Sequence, residues 1–387
     1  MRIPTLFCLA LSLSLQTAAA EDRYCENDYF TIDARYEAGA FAACSFTDDD
    51  FVELTIRPED DRVETPQPWF SFKVTAVEPA ALHIRLLFPD AYARYWPKLS
   101  GDGENWLRAH EDAVSRSENE KEMDVIVDVA GGGTWVSAQE LLTGSWYDDW
   151  LEQLAGHPEL VTAVIGMSHE GREIHLVKSS HNRREAVLLL GRQHPAEVPG
   201  AIAMRDFVDT VLGDSELARD FRRRFTLLII PLVNPDGVAN GHWRHNSGKT
   251  DLNRDWGPFT QPETQAIARL MEGVDKIGMK PRLMLDFHAT RYTESVLFYT
   301  QTNEDVTDPK DFAINWLGAV RERIPDYDFT HDPRPTSTQP NTKGYFYTRY
   351  GIPSYTYEMG DEANRAQLRA ATPVFAEEMM RALLAAD

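Results

Sequence analysis

Five short segments of this chain concentrate side chains that can do chemistry. In order they are Gly191-Arg192-Gln193-His194-Pro195-Ala196-Glu197, His242-Trp243-Arg244-His245-Asn246, Asp251-Leu252-Asn253-Arg254-Asp255-Trp256, Leu285-Asp286-Phe287-His288-Ala289-Thr290 and Tyr355-Thr356-Tyr357-Glu358-Met359-Gly360-Asp361. His194, Glu197 and His288 supply two imidazoles and one carboxylate. Three such ligands with an open fourth position describe a catalytic zinc, whereas structural zinc is usually closed by thiolates. A histidine and a glutamate three apart are a common coincidence. A second histidine and the later Glu358 give the pair its weight. His194 and Glu197 share a turn restricted by Gly191 and Pro195, so both can face one ion. Asp251 suits the other N–H of a ligand imidazole, as carboxylates behind metal-bound histidines do.

The remaining groups suit a substrate that bears a carboxylate. One zinc ion would lower the pKa of a bound water and polarise a carbonyl. Glu358 would take the water's proton as general base and return it to a leaving amine. Arg244 would place N–H groups where negative charge appears, worth on the order of 3 kcal/mol. Arg254, with Asn253, would grip a terminal carboxylate in a bidentate fork that lysine cannot copy. Such a grip places the last peptide bond at the ion and makes an exopeptidase. Plainer readings exist: buried hydrogen-bonded histidines, Arg244 paired with Glu358 or Asp251, and Glu358 as a surface acid. His242 and His245 read as ordinary loop residues, and Asp286 as a structural or supporting acid.

These residues need elements to position them. Across residues 30–135 apolar and polar residues alternate in short runs, as at Val52, Leu54, Ile56 and at Phe70, Phe72, Val74. Period-two alternation predicts half-buried antiparallel strands, hence a β-sandwich. Residues 111–122 read as an exposed loop and Gly131-Gly132-Gly133 as a tight turn. From residue 143 onward the pattern changes. Apolar strands are predicted at 161–165, 186–190, 226–232, 283–287 and 354–357. Helices are predicted at 147–155, 199–212, 262–271, 311–323 and 372–385. Continuous apolar strands alternating with helices give an α/β domain covered on both faces. His194, Asn234 and His288 fall just after strand ends, where open α/β sheets build their sites.

The 387-residue chain has room for two domains. Met1-Arg2, an apolar run over 6–15 and Ala18-Ala19-Ala20 read as a secretory leader cleaved after Ala20. The run is well short of the about 20 residues that a spanning helix needs, which sets a membrane anchor aside. The leader implies a periplasmic or secreted protein. Cys25 and Cys44 remain after its removal, and an even pair in an exported chain suggests one disulfide. With 61 acidic against 39 basic residues and a net charge of -22, a basic face for nucleic acid or anionic lipid is not indicated.

The order His-Pro-Ala-Glu, Asn-Pro-Asp-Gly-Val (234–238), Trp-Arg, Asp-Leu-Asn-Arg, Asp-Phe-His and Thr-Tyr-Glu resembles the zinc metallocarboxypeptidases. The run from Asn234 to Arg244, with Asp-Leu-Asn-Arg-Asp-Trp after it, looks most like the cytosolic-carboxypeptidase-like branch. Residues 68–74 resemble the start of that branch's sandwich. The resemblance implies an α/β fold with a carboxypeptidase-like mixed sheet flanked by helices, preceded by an antiparallel β-sandwich domain. It implies His194, Glu197 and His288 as ligands of one zinc ion, and Glu358 as general base. It also implies Arg244 at the oxyanion and Asn253 with Arg254 at the substrate carboxylate. The domains are then 1–20 leader, 21–140 sandwich and 141–387 catalytic. The chain departs from the family at one point. A tyrosine is usual well upstream of the base, and residues 335–342 hold none; Tyr292, Tyr345 and Tyr347 are the substitutes to consider.

The implied function is a metallocarboxypeptidase acting on peptides, with peptidoglycan stem peptides or acidic C-termini as substrates. Lys343, Arg291 or Arg349 would read an acidic terminal side chain. A zinc amidase or deacylase of muropeptides or acylated amino acids is the related alternative. An inactive peptide-binding protein is the alternative of another class.

Overall fold

A computed structural model describes residues 23–291, 296–336 and 338–386. The leader read at residues 1–20 lies outside them, as does Tyr292. Two sheets form the N-terminal part. One holds six strands, Tyr24–Glu26, Phe30–Asp33, Ser71–Ala76, Thr134–Ser137, Lys98–Ser100 and Leu107–Arg108 in spatial order. The other holds Ala43–Asp48, Phe51–Thr55, Ala80–Leu87, Glu122–Val129 and Val114–Arg116. The alternation read from the sequence sends Phe30, Ile32, Phe72 and Val74 of the first sheet against Val52, Leu54, Ile84 and Val125 of the second in one buried core. Cys25 and Cys44 are joined, tying an edge strand of one sheet to an edge strand of the other.

Two details differ from the sequence reading. The five-stranded sheet is not wholly antiparallel: Phe51–Thr55 and Ala80–Leu87 run parallel. The strand between them in sequence, Ser71–Ala76, belongs to the other sheet, so the chain crosses over and re-enters in the same direction. The stretch 111–122 is not merely a loop. It carries a 3-10 turn at Glu111–Ala113 and the strand Val114–Arg116, which pairs with Glu122–Val129 and buries Val114.

The C-terminal part is built on an eight-stranded mixed sheet. Its spatial order is Leu160–Met167, Glu173–Ser179, Phe225–Ile230, Glu185–Gly191, Lys280–Thr290, Ser354–Gly360, Val296–Gln301 and Phe329–Arg334. Glu185–Gly191 shows why it lies in the middle. Val187 and Leu189 enter a core with Phe207, Val208 and Phe375 on one face. Leu188 and Leu190 enter another with Ile267, Met271 and Phe346 on the opposite face. Helices Val198–Leu212 and Arg365–Ala385 thus cover one side, and Pro262–Lys276 and Thr342–Tyr350 the other.

The two parts are packed together. Ala196, Val198, Ile202 and Trp243 of the C-terminal part sit in the sandwich's own core. Among the described residues, no helix is long and apolar enough to cross a membrane.

Candidate active site

Three neighbouring parallel strands present the central residues at one end of the sheet. Gly191 stands opposite Phe287 on one side of Lys280–Thr290, and His288 stands opposite Glu358 on the other. His194 follows the strand Glu185–Gly191 in a turn where Glu197 N–H donates to the His194 carbonyl at 3.3 Å. Arg192, itself at φ 55°, donates to the Pro195 carbonyl from Nε and Nη2 and braces that turn. Glu197 ends it as the residue before helix Val198–Leu212.

His194, Glu197 and His288 are all buried, and their ligand atoms lie within 4.8 Å of one another. His194 Nδ1 is 2.8 Å from Glu197 Oε1, His288 Nδ1 is 2.7 Å from Glu197 Oε2, and the two Nδ1 atoms are 3.2 Å apart. The far nitrogens are committed elsewhere: His194 Nε2 to Asp251 Oδ1 and His288 Nε2 to Asp286 Oδ2, each at 2.9 Å. A carboxylate oxygen facing Nε2 accepts a hydrogen bond from the proton there and turns the Nδ1 lone pair inward. Two imidazole lone pairs and a carboxylate then converge, and protons or a cation must sit among them. Burial pushes the His288 imidazole pKa down, but Asp286 and Glu197 outweigh it and hold the value well above the ordinary range. The donor set fits a zinc ion with open positions.

Asp251 links the metal-binding candidates to Arg244. Its Oδ2 accepts from Arg244 Nε at 2.8 Å and Nη2 at 2.7 Å. Burial pushes the Asp251 carboxyl up, yet His194, Arg244 and Arg254 more than offset this and keep it ionised far below the usual range. Arg244 pairs with Asp251 and still lines the cavity. Asn253 spends its oxygen on Thr342, accepting from the backbone N–H at 3.0 Å and from Oγ1 at 2.9 Å. Its Nδ2 lies 3.5 Å from His288 Nε2, and its second N–H suits a ligand. Arg254 donates Nη1 to the Asn253 carbonyl at 2.8 Å. Glu358 opens partly onto the cavity while protein surrounds it. Burial pushes its carboxyl up to about 7, with His288 the strongest opposing influence.

These side chains line one cavity of about 730 Å³, and the sandwich supplies part of its wall through Arg62, Glu64, Thr65, Gln67 and Arg94. A larger cavity of about 1000 Å³, lined by Arg35, Tyr36, Arg172 and His175 among others, holds none of the metal-binding candidates. The chemistry of the donors, not size, selects the site. Several sequence candidates lie elsewhere. Lys343 is buried and donates to the Thr300 carbonyl at 3.0 Å. Arg349 pairs with Asp275, and Arg291, although on the cavity wall, pairs with Glu120. Tyr345 packs on Trp256 and Phe259, and Tyr347 donates to the Asn303 carbonyl, so neither stands in for the missing tyrosine.

A family model described as zinc carboxypeptidase matches residues 147–378, and one described as the cytosolic carboxypeptidase N-terminal domain matches residues 32–130. Human cytosolic carboxypeptidase 4 is 29% identical over 151 residues, 38% of this chain and 13% of that protein. Mouse cytosolic carboxypeptidase 3 is 30% identical over 125 residues, 32% of this chain and 12% of that protein. The chain therefore spans only a small part of these relatives. Among solved structures, a metallo-carboxypeptidase from Burkholderia cenocepacia superposes with a TM-score of 0.74 at 20% identity, covering 92% of this chain and 98% of the other. A metallo-carboxypeptidase from Pseudomonas aeruginosa, solved with (2-guanidinoethylmercapto)succinic acid, gives 0.74 at 18% identity over 91% of this chain and 98% of the other. At these identities the structural likeness is one of fold. The family model spans more than half of the chain, and the chain belongs to the zinc carboxypeptidases, a family that uses one zinc ion.

Proposed function

We propose that this chain is a zinc-dependent carboxypeptidase that hydrolyses the C-terminal peptide bond of peptides with a free terminal carboxylate. One observation carries the reading: His194, Glu197 and His288 converge in the same cavity as Glu358, Arg244 and Arg254. The three converging side chains hold the ion, which supplies Lewis acidity toward water and a carbonyl oxygen. Glu358 accepts a proton from the attacking water and returns it to the leaving amine; a pKa near neutrality suits both halves of that task. Arg244, anchored by Asp251, donates to the oxygen on which negative charge develops. Arg254 and the Nδ2 of Asn253 receive the terminal carboxylate and bring the last peptide bond beside Glu358.

In this reading residues 141–387 form the catalytic domain, residues 21–140 the sandwich and residues 1–20 a leader that places the enzyme in the periplasm or outside the cell. Peptidoglycan stem peptides, which carry free carboxylates in that compartment, are then one substrate class. Acidic C-termini are another. With Lys343 turned inward, that preference rests on the cavity wall, where Arg62 stands in a chain of net charge -22.

The test is mass spectrometry of a peptide and muropeptide library incubated with zinc-loaded protein and with a chelated control. Chelator-sensitive loss of single C-terminal residues supports the reading and reports the side-chain preference. Equal cleavage of C-terminally amidated peptides rejects it in favour of an amidase or deacylase. Binding without turnover points to a peptide-binding protein.

A further inference from the structure

A sandwich carboxylate holds the backbone of an active-site residue. Glu59, in the loop after strand Phe51–Thr55, accepts the backbone N–H groups of both Arg244 and His245 on Oε1, each at 2.8 Å. Next to it, Asp60 Oδ2 lies 2.9 Å from His245 Nδ1, and both side chains are almost fully buried. The segment these residues hold runs along the cavity and is anchored on both sides of Arg244. Trp243 is buried in the sandwich core, Arg244 lines the cavity, and His245 turns back to Asp60. Arg244 therefore lies between two anchors that the sandwich provides. From Arg244 the chain of bonds continues through Asp251 to His194, a ligand candidate. Among the described residues, Glu59 Oε2 is buried and has no hydrogen-bond partner. A buried acceptor left unpaired costs about 1–3 kcal/mol, so holding the two N–H groups offsets a real penalty.

We propose that Glu59 is a positioning residue for the reaction. It fixes the backbone of Arg244, so the N-terminal sandwich completes the catalytic site and is more than a neighbour of it. This rests on the reading that Arg244 stabilises the developing negative charge. A guanidinium displaced by about 1 Å loses much of that effect, on the order of a hundredfold in rate.

The test uses the full-length zinc-loaded chain and four variants: Glu59→Ala, Glu59→Gln, Arg244→Ala and the Glu59→Ala/Arg244→Ala double variant. Amide exchange over residues 243–246 is followed by mass spectrometry alongside kcat and KM on a cleavable peptide. In Glu59→Ala, exchange over that segment should rise and kcat should fall about tenfold to a hundredfold with KM little changed. Glu59→Gln keeps an acceptor oxygen and should restore both. In the double variant the loss should equal that of Arg244→Ala alone, because the clamp acts through the guanidinium.

Unchanged exchange in Glu59→Ala overturns the proposal. So do losses that multiply in the double variant, or full kcat in Glu59→Ala when Arg244→Ala is inactive. Full activity of Arg244→Ala overturns the reading of Arg244 instead, and the exchange result alone then decides whether Glu59 is a clamp. Should Glu59→Ala fail to fold, Glu59→Asp withdraws the same oxygen by one methylene and is read in the same way.

Discussion

Glu358 is a carboxyl whose surroundings disfavour its charge, and the direction of that effect fixes how activity should depend on pH. Burial raises its pKa to about 7, and a zinc cation beside it would pull the value back down. The general base must be ionised. The rate kcat/KM should therefore rise with pH and level off, with its acidic limb at or below about 7. A pH–rate profile whose limb lies clearly above 7 would remove Glu358 from this role. Glu358→Gln should keep its zinc, measured by metal analysis, while kcat drops about 10²–10⁴-fold. Arg254 makes a different prediction. Its loss in Arg254→Ala should lower kcat/KM on free-carboxylate peptides about tenfold to a hundredfold, the value of a charged hydrogen bond. Arg254→Lys should not restore it, because a point charge cannot copy the fork; full rescue by lysine would show that only charge matters. The residue types at 194, 197, 288 and 358 were legible from the sequence because their chemistry is rare in combination. Glu59 and Arg62 were not. They lie in a polar loop with no periodic pattern, and they acquire meaning only once the sandwich is docked against residues 243–245.

At the scale of elements, the site depends on how closely helix Val198–Leu212 approaches the strand that carries His288. A Cβ on Gly200 would lie 2.7 Å from the His288 carbonyl oxygen and 3.1 Å from its nitrogen, both backbone atoms that cannot swing away. Alanine favours helix over glycine by about 1 kcal/mol, so propensity alone predicts a more stable Gly200→Ala protein. The close approach predicts the opposite. The helix must move away from the strand, Glu197 separates from His288, and zinc affinity should fall about tenfold or more. Competition with a chromogenic chelator measures this, and unchanged affinity with a raised melting temperature would show that the contact yields. The central strands were readable as continuous apolar runs because both faces are covered. The strand Phe329–Arg334 escaped because it lies at the sheet's far edge, where His331, Asp332 and Arg334 dilute the apolar pattern. The last helix starts at Arg365 rather than at 372. Pro373 reads as a first-turn residue, yet it sits inside the helix, and Thr372 Oγ1 donates to the Leu368 carbonyl in the turn before it.

Over the whole molecule, the sandwich and the catalytic part meet in a buried ion pair next to the site. Arg94 of the sandwich holds Asp361 through Nε at 2.7 Å and Nη2 at 3.0 Å, with side-chain exposures of 6% and 2%. Arg94 also donates to the carbonyl of Ala289, the residue after His288, and Asp361 follows the strand that bears Glu358. Burial pushes the Asp361 carboxyl up, and Arg94 is the main influence opposing it. Removing the guanidinium in Arg94→Met leaves an unpaired buried carboxylate, which costs about 3–5 kcal/mol. The sign of its pH dependence follows. Without Arg94 the folded-state pKa of Asp361 rises further above its unfolded value, so the variant loses stability as pH increases between those two values. Denaturant unfolding should show a deficit that is largest at neutral pH and shrinks toward pH 5 and below. In Arg94→Met/Asp361→Leu the charge is gone from both sides and most of the stability should return. A deficit independent of pH would mean that Arg94 acts through packing alone, as its position near the rings of Tyr95 and Trp243 would allow. The sandwich would then be joined to the catalytic part chiefly by the shared apolar core, with the clamp at Glu59 as a polar link to the chemistry.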